Sequence, residues 1–341
     1  MTVVRTVTGD MPADRFAAVM VHEHILFDIV PPGADGDRDA EVTLANRWQI
    51  DHRSNEAPAN AHQRDRAIAT VEVAAFIGDG GDLIVDQSVD GLARDPEGLL
   101  EVSRATGCAI VAAAGTYTAP FLSDTTKALS EDALEARFVE EVTVGLDGTA
   151  VRAGIIGEIG CSAPLEPIER RALKAAARAA RRTGCGLSVH PGRDRRAPFE
   201  IVEIVAAEGA DLSRTVICHM DRTFPDGEGP LALAQTGVCV EWDFFGIETS
   251  HYWMDPGVAL PTDRDRLAII AKLFDAGRGN QVLVSHDICT KTRMQRFGGH
   301  GYGHLLRNGR ELMARLGFGA DEIKTLLRDN PLRLLALPST P

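Results

Sequence analysis

Five short apolar runs in this chain each end on a side chain that binds metal ions. They are "AAVMVHEH" with His22 and His24, "AGIIGE" with Glu158, "GLSVH" with His190, "TVICH" with His219 and "QVLVSHD" with Asp287. Runs of this length and apolarity read as strands buried on both faces. Bringing residues so far apart in sequence to one point requires a fold that gathers the ends of many strands, and a closed barrel does this. Within the first run, strand residues i and i+2 share a face, so His22 and His24 can reach one ion while Glu23 looks away.

The rest of the chain supports such a fold. Candidate strands near 17–22, 83–86, 109–114, 153–158, 186–190, 214–219, 238–242 and 281–286 alternate with amphipathic stretches near 64–79, 96–106, 131–145, 166–183, 197–208, 229–236 and 263–276. Alternation of this kind means βα units around a parallel sheet, and eight units close a (β/α)8 TIM barrel. A doubly wound open sheet would want a GxGxxG turn after its first strand, where this chain has "HEH". Residues 1–341 are therefore expected to form a single barrel domain. The polar stretch 31–63 is its largest insertion, placed to rise over the pocket on the active face. The tail "GADEIKTLLRDNPLRLLAL" predicts a further helix ending near Pro331.

Charge and composition narrow the partners. The formal net charge of −13 argues against nucleic acid or an anionic membrane as partner, since both need a basic face. No apolar run approaches membrane-spanning length, and the first residues lack the basic-then-apolar order of a secretory signal. Six cysteines stand singly with no CxxC pair, which points to free thiols and a cytoplasmic, reducing home.

Imidazole and carboxylate donors suit zinc and, less tightly, manganese, cobalt or iron. Five or six donors are too many for one catalytic tetrahedral zinc that keeps an open position. They suit two ions about 3.5–4 Å apart.

At this point the chain resembles the phosphotriesterase-related proteins of the amidohydrolase superfamily. The likeness is carried by "VHEH", "AGIIGEIGCSAPL", "SVHPGRDRRAPFEIV", "CHMDRT", "VEWDFFGIE" and "SHDICTKTRMQRFGGHGYGHLL". The resemblance implies that His22, His24 and Asp287 hold the more buried ion, His190 and His219 the more exposed one, and Glu158 bridges them. Glu158 stands where phosphotriesterases proper carry a carbamylated lysine. The resemblance further implies that a hydroxide shared by the ions is the nucleophile and that Asp287 moves its proton. Tyr117 matches a position where lactonases of the superfamily carry a tyrosine. The chain departs from phosphotriesterases at "VEWDFFGIE", where Phe244 or Phe245 falls at the place of a proton-relay histidine.

Arg193, Arg222, Lys291 and Arg293 follow the metal-ligand strands closely and are expected on active-face loops, where a guanidinium fork or ammonium can meet an anionic substrate group. The competing expectation is pairing with Asp194, Asp221 or Glu248. His286, His300, His304, His52, His62 and His251 are read as packing, solvated or pocket-lining residues. Asp86 and Asp221 are candidates to hold a ligand histidine by its other ring nitrogen. The function expected is hydrolysis of a small anionic amide of N-acetyltaurine or N-acetyl amino acid type. The alternatives are lactone or carboxylic ester hydrolysis with weak phosphotriesterase activity, and a binding protein without turnover. The partner expected is a small molecule, and the resemblance allows a homodimer.

Overall fold

Eight parallel strands order the chain in the computed structural model, which describes residues 2–52, 57–249, 251–252 and 254–338. They are β1 (Val19–Glu23), β2 (Leu83–Asp86), β3 (Ala109–Ala114), β4 (Ile155–Gly160), β5 (Leu187–His190), β6 (Thr215–Ile217), β7 (Cys239–Trp242) and β8 (Val282–Val284). Each pairs with its sequence neighbour, in the unbroken order β8 to β1. The two ends meet at the carboxyl rim, where the Asp287 amide donates to the His22 carbonyl at 3.0 Å and the His22 amide donates to Ser285 Oγ at 3.0 Å. This is the (β/α)8 barrel expected from the alternation.

Both strand faces are buried, which is why the strands read as continuous apolar runs rather than alternating ones. Val19, Val21, Leu83, Val85, Ala109 and Val111 belong to one apolar cluster. Their neighbours Met20, Ile84, Ile110 and Ala112 belong to another, shared with Phe76 and Val102 of the surrounding helices. Those helices begin and end where local chemistry dictates. The helix Arg66–Gly78 is capped by the Asp65 carboxylate, which accepts from the amides of Ala67 and Ile68. The helix Pro167–Thr183 starts on proline and stops at Gly184, whose φ of 74° a residue with a Cβ rarely adopts.

Buried Glu169 in the first turn of that helix does more than cap it. Its carboxylate accepts from the amides of Glu166, Ser162 and Ala119. The loops after β3 and β4 are thereby tied together just above the site.

Two features differ from the sequence expectation. The tail helix does not end near Pro331: a helical segment Ala320–Lys324 passes through a π-turn at Thr325–Asp329 into a final helix Asn330–Leu335. Proline is tolerated there because the widened turn has already broken the regular i→i−4 ladder that its missing N–H would interrupt. Thr2–Thr6 and Gly9–Pro12 form an antiparallel hairpin that also pairs with Leu337–Pro338, a small sheet not anticipated. Among the described residues, no helix is long and apolar enough to cross a membrane.

Candidate metal centre

The carboxyl ends of β1, β4, β5, β6 and β8 place His22, His24, Glu158, His190, His219 and Asp287 around one point. Two irregularities aim these side chains. The β1–β2 register shifts between Met20 and Glu23, and the β4–β5 register shifts between Ile156 and Ile159. A bulge inserts a residue and changes which side chain faces the barrel interior, and here the bulged stretches carry His22 and Glu158. His219 and Asp287 sit at φ of 59° and 47°, a left-handed conformation rare outside glycine. Such residues cost about 1–3 kcal/mol each and persist where the surrounding structure holds them.

Glu158 is the hub. Its Oε1 lies 3.4 Å from His24 Nε2, and its Oε2 lies 2.8 Å from His190 Nδ1, 3.3 Å from His219 Nε2 and 3.7 Å from His22 Nε2. Asp287 Oδ1 stands 3.3 Å from His24 Nε2 and 4.0 Å from His22 Nε2. The donors fall into two triads that share one carboxylate, His22–His24–Glu158 and Glu158–His190–His219.

The ring nitrogens turned away from this point are held by other groups. His22 Nδ1 lies 3.1 Å from Glu241 Oε2, His219 Nδ1 lies 2.8 Å from Asp243 Oδ1, and His24 Nδ1 lies 3.1 Å from Ser88 Oγ. Donation outward through Nδ1 leaves the Nε2 lone pairs of His22, His24 and His219 facing inward. Among the described residues, Nε2 of His22 and of His24 are buried with no hydrogen-bond partner. Orphaned lone pairs beside a buried carboxylate are what a divalent cation satisfies, so the residues present fit a metal centre.

The electrostatics agree. Burial pulls the His190 imidazole down to about 3 and that of His219 down to about 4, so both remain neutral donors. Burial disfavours charge on Glu158 too, but the neighbouring histidines hold its carboxyl well below the usual range. Against the same effect, the Asp287 and Glu158 carboxylates, 3.3 and 3.4 Å from its Nε2, raise His24 to about 9. The pocket therefore favours positive charge at its centre.

The carboxylates that grip these histidine rings were not the ones expected. Asp86 accepts from the amides of Ile25 and Ser88 and reaches His24 only through Ser88. Asp221 pairs with buried Arg266 and accepts from the Asp243 amide. It acts one step back, holding the residue that holds His219. The signal missed was the "EWD" at the end of β7, which sets Glu241 and Asp243 two residues apart as His22 and His24 are. Asp243→Asn is expected to weaken metal affinity about 10- to 100-fold with the fold intact. Metal competition titration and circular dichroism check this, and unchanged affinity would remove Asp243 from the support of the site.

Glu23, turned away from the site, accepts from the amides of His286 and Ile288 and from Ser285 Oγ, and lies 2.7 Å from His286 Nδ1. It clamps both sides of Asp287. His286 is fully buried and satisfied, its Nε2 accepting from the Leu305 amide. His304 pairs with Asp263, and His251 stacks on His52 at 5.1 Å.

A cavity of about 710 Å³ opens beside the centre, lined among others by Tyr117, His190, Arg193 and Arg293. Tyr117 packs edge-on against His190 with centroids 5.1 Å apart. Burial, with Glu158 and Asp287 nearby, keeps it a neutral phenol. Phe244, rather than Phe245, stands beside the histidine cluster, 5.7 Å from His219 and 5.5 Å beneath the Arg293 guanidinium. Phe245 packs in the core under Arg266.

The four cations do not share one fate. Arg193 Nε donates to Tyr252 Oη at 3.2 Å, and an Nη reaches Met254 Sδ. Arg293 donates to the Asp287 carbonyl. Arg222 is not among the cavity-lining residues. The turn Met220–Thr223 tucks it behind His190, where its Nη2 lies 3.1 Å from His190 Nε2 and donates to the Pro191 carbonyl. Lys291, half-buried on the turn Lys291–Arg293, does not line the cavity either. None of the four pairs with the anticipated acids: Asp194 binds Arg196, Asp221 binds Arg266, and Glu248 accepts from the Asp263 amide.

Histidine and carboxylate donors at the carboxyl rim of a (β/α)8 barrel, opening into a cavity, define the metal-dependent hydrolase class. The chain matches the model of the phosphotriesterase family over residues 2–335. It is similar to the N-acetyltaurine hydrolase of Dictyostelium discoideum, 39% identical over 297 residues covering 87% of this chain and 80% of that one. It is similar also to the N-acetyltaurine hydrolase of Homo sapiens, 36% identical over 340 residues and 97% of each chain. Among solved structures, a resiniferatoxin-binding protein from Rhodobacter sphaeroides matches with a TM-score of 0.91 at 33% identity, covering 98% of this chain and 94% of that one. This chain belongs to the phosphotriesterase family, and it is a hydrolase.

Proposed function

We propose that this chain is a binuclear metal-dependent hydrolase of a small anionic amide, of the N-acetyltaurine or N-acetyl amino acid type. The observation that carries this reading is Glu158 set between two histidine pairs, with Asp287 alongside and two guanidinium groups lining the adjoining cavity. His22, His24 and Asp287 would hold one ion, His190 and His219 the other, and Glu158 both. Zinc is the first candidate, with manganese, cobalt or iron compatible with the same donors. When bound, the ions supply a hydroxide at neutral pH and polarise the acyl oxygen.

The chain's own residues do the rest. The carboxylate of Asp287, held near pKa about 2 because histidine contacts outweigh its burial, is in the base form throughout the working range. It takes the proton released as the oxygen–carbon bond forms and gives it to the amide nitrogen as the carbon–nitrogen bond breaks, leaving a carboxylate and an amine. Tyr117 orients the acyl group with its phenol. Phe244 cannot relay a proton, so in this reading the proton leaves on the amine. Arg193 and Arg293 anchor the sulfonate or carboxylate. Arg222 acts instead through His190, and Lys291 stands outside the proposed substrate set. Six buried free cysteines suit a reducing, cytoplasmic compartment.

The test is hydrolysis by zinc- or manganese-loaded protein of N-acetyltaurine and N-acetyl amino acids beside a lactone panel. Amide cleavage is expected, and lactone opening alone would move the assignment to a lactonase. Arg193→Gln is expected to raise KM for the anionic amides about 10- to 100-fold, the worth of a charge-assisted hydrogen bond, with a smaller change in kcat. Uncharged esters should be nearly unaffected, and an equal loss on both substrate types would overturn the anchoring role.

A further inference from the structure

The cavity is larger than an acetyl group and a short anionic amine require. Its 710 Å³ falls within the range of about 300–1,000 Å³ that encloses a drug-sized ligand. Its lining is also divided by chemistry. Ile29, Pro31, Pro32 and Ala61 from the loop after β1, with Pro120 and Phe121 from the loop after β3, present apolar surface. Arg193 from the loop after β5 and Arg293 from the loop after β8 present charge, and Arg193 is tied to Tyr252 and Met254 of the loop after β7.

In an eight-stranded barrel β1 stands across from β5 and β3 across from β7. The loops after β1 and β3 that carry the apolar wall therefore face the loops after β5 and β7 that carry and hold Arg193. Three prolines in the wall have fixed φ and no backbone N–H, so this surface is pre-formed and needs little ordering on binding. Arg193 has no carboxylate partner among the described residues. Its side-chain contacts are a phenol oxygen and a thioether, both weaker partners than an anion.

We propose that this site takes an amphiphilic N-acyl anion, in which Arg193 receives the carboxylate or sulfonate and the Ile29–Pro32, Ala61 and Phe121 wall receives an acyl chain longer than acetyl. The inference rests on the amide-hydrolase reading for the bond that is cut, and on the cavity alone for the chain that is bound. Each methylene laid on the wall adds about 0.8 kcal/mol.

The experiment uses linear N-acyl taurines and N-acyl glycines from acetyl to decanoyl. The metal-loaded protein is assayed for kcat/KM, and metal-loaded Asp287→Asn protein for Kd by calorimetry. Both quantities are expected to improve roughly threefold to fourfold per methylene until the cavity is filled. Ala61→Leu should move the optimum to shorter chains, and Arg193→Gln should weaken every member of the series by a similar factor. Cleavage that is best for acetyl and falls with each added carbon overturns the inference and leaves the amide-hydrolase reading standing. Chain-length-dependent binding without amide cleavage supports the inference and overturns that reading. Neither binding nor cleavage overturns both.

Discussion

Asp287→Asn is expected to lower turnover by roughly 10²- to 10⁴-fold, the usual worth of a positioned acid–base group, while the protein keeps most of its metal. The substitution isolates proton transfer because so much around it stays fixed. Asparagine has the same shape and tolerates the left-handed φ of 47° that this position requires. The loop remains held by Glu23 through the amides of His286 and Ile288, and by the Asp287 amide on the His22 carbonyl. One carboxamide oxygen can still face His24. What asparagine cannot do is accept the proton and return it. Steady-state kinetics on N-acetyltaurine, with metal content by plasma mass spectrometry, decides the matter. Turnover within threefold of the parent would sink the proton-shuttle role. Loss of metal in step with activity would reassign Asp287 to coordination alone.

Glu158→Gln should have the larger effect on the metals themselves. Glu158 approaches all four histidines of the cluster, and both donor triads include it. Replacing it removes a buried negative charge between two proposed dications and turns an N–H donor toward nitrogens whose lone pairs must face the metals. Removing a supporting residue typically weakens metal binding about 10- to 100-fold, so a shared ligand should exceed that. Protein dialysed against a weak chelator is expected to fall from about two ions per chain to fewer than one, and activity should vanish with them. Retention of both ions would exclude Glu158 as the bridge. Helical content by circular dichroism should be unchanged, since the apolar residues of β4 and its neighbours carry the packing there.

The barrel was legible because parallel strands buried on both faces must be apolar along their whole length, and the helices between them must carry one apolar stripe. Val19–Glu23, Ala109–Ala114 and Ile155–Gly160 announce themselves in this way. The proposed ligands were legible because histidine or a carboxylate at the end of such a run is chemically out of place unless something holds it. The tail was misread because proline is a local signal, whereas the π-turn that accommodates Pro331 is set by how the final helices pack against the barrel.

By itself the sequence determined the eight barrel strands, their order and the identity of the polar residues gathered at the rim, since these follow from periodicity and residue chemistry. Only the tertiary structure decided which of them support and which adjoin the cavity. Bulges that re-aim Glu158, left-handed backbone at His219 and Asp287, and the contacts of Glu241 and Asp243 with the His22 and His219 rings arise from strand pairing across the barrel. The same holds for Arg193 at the cavity and Arg222 behind His190: each follows a histidine of the cluster by three residues, and the turn after each strand sends them different ways. Local sequence sets what a residue can do. Where it points depends on backbone geometry that distant segments impose.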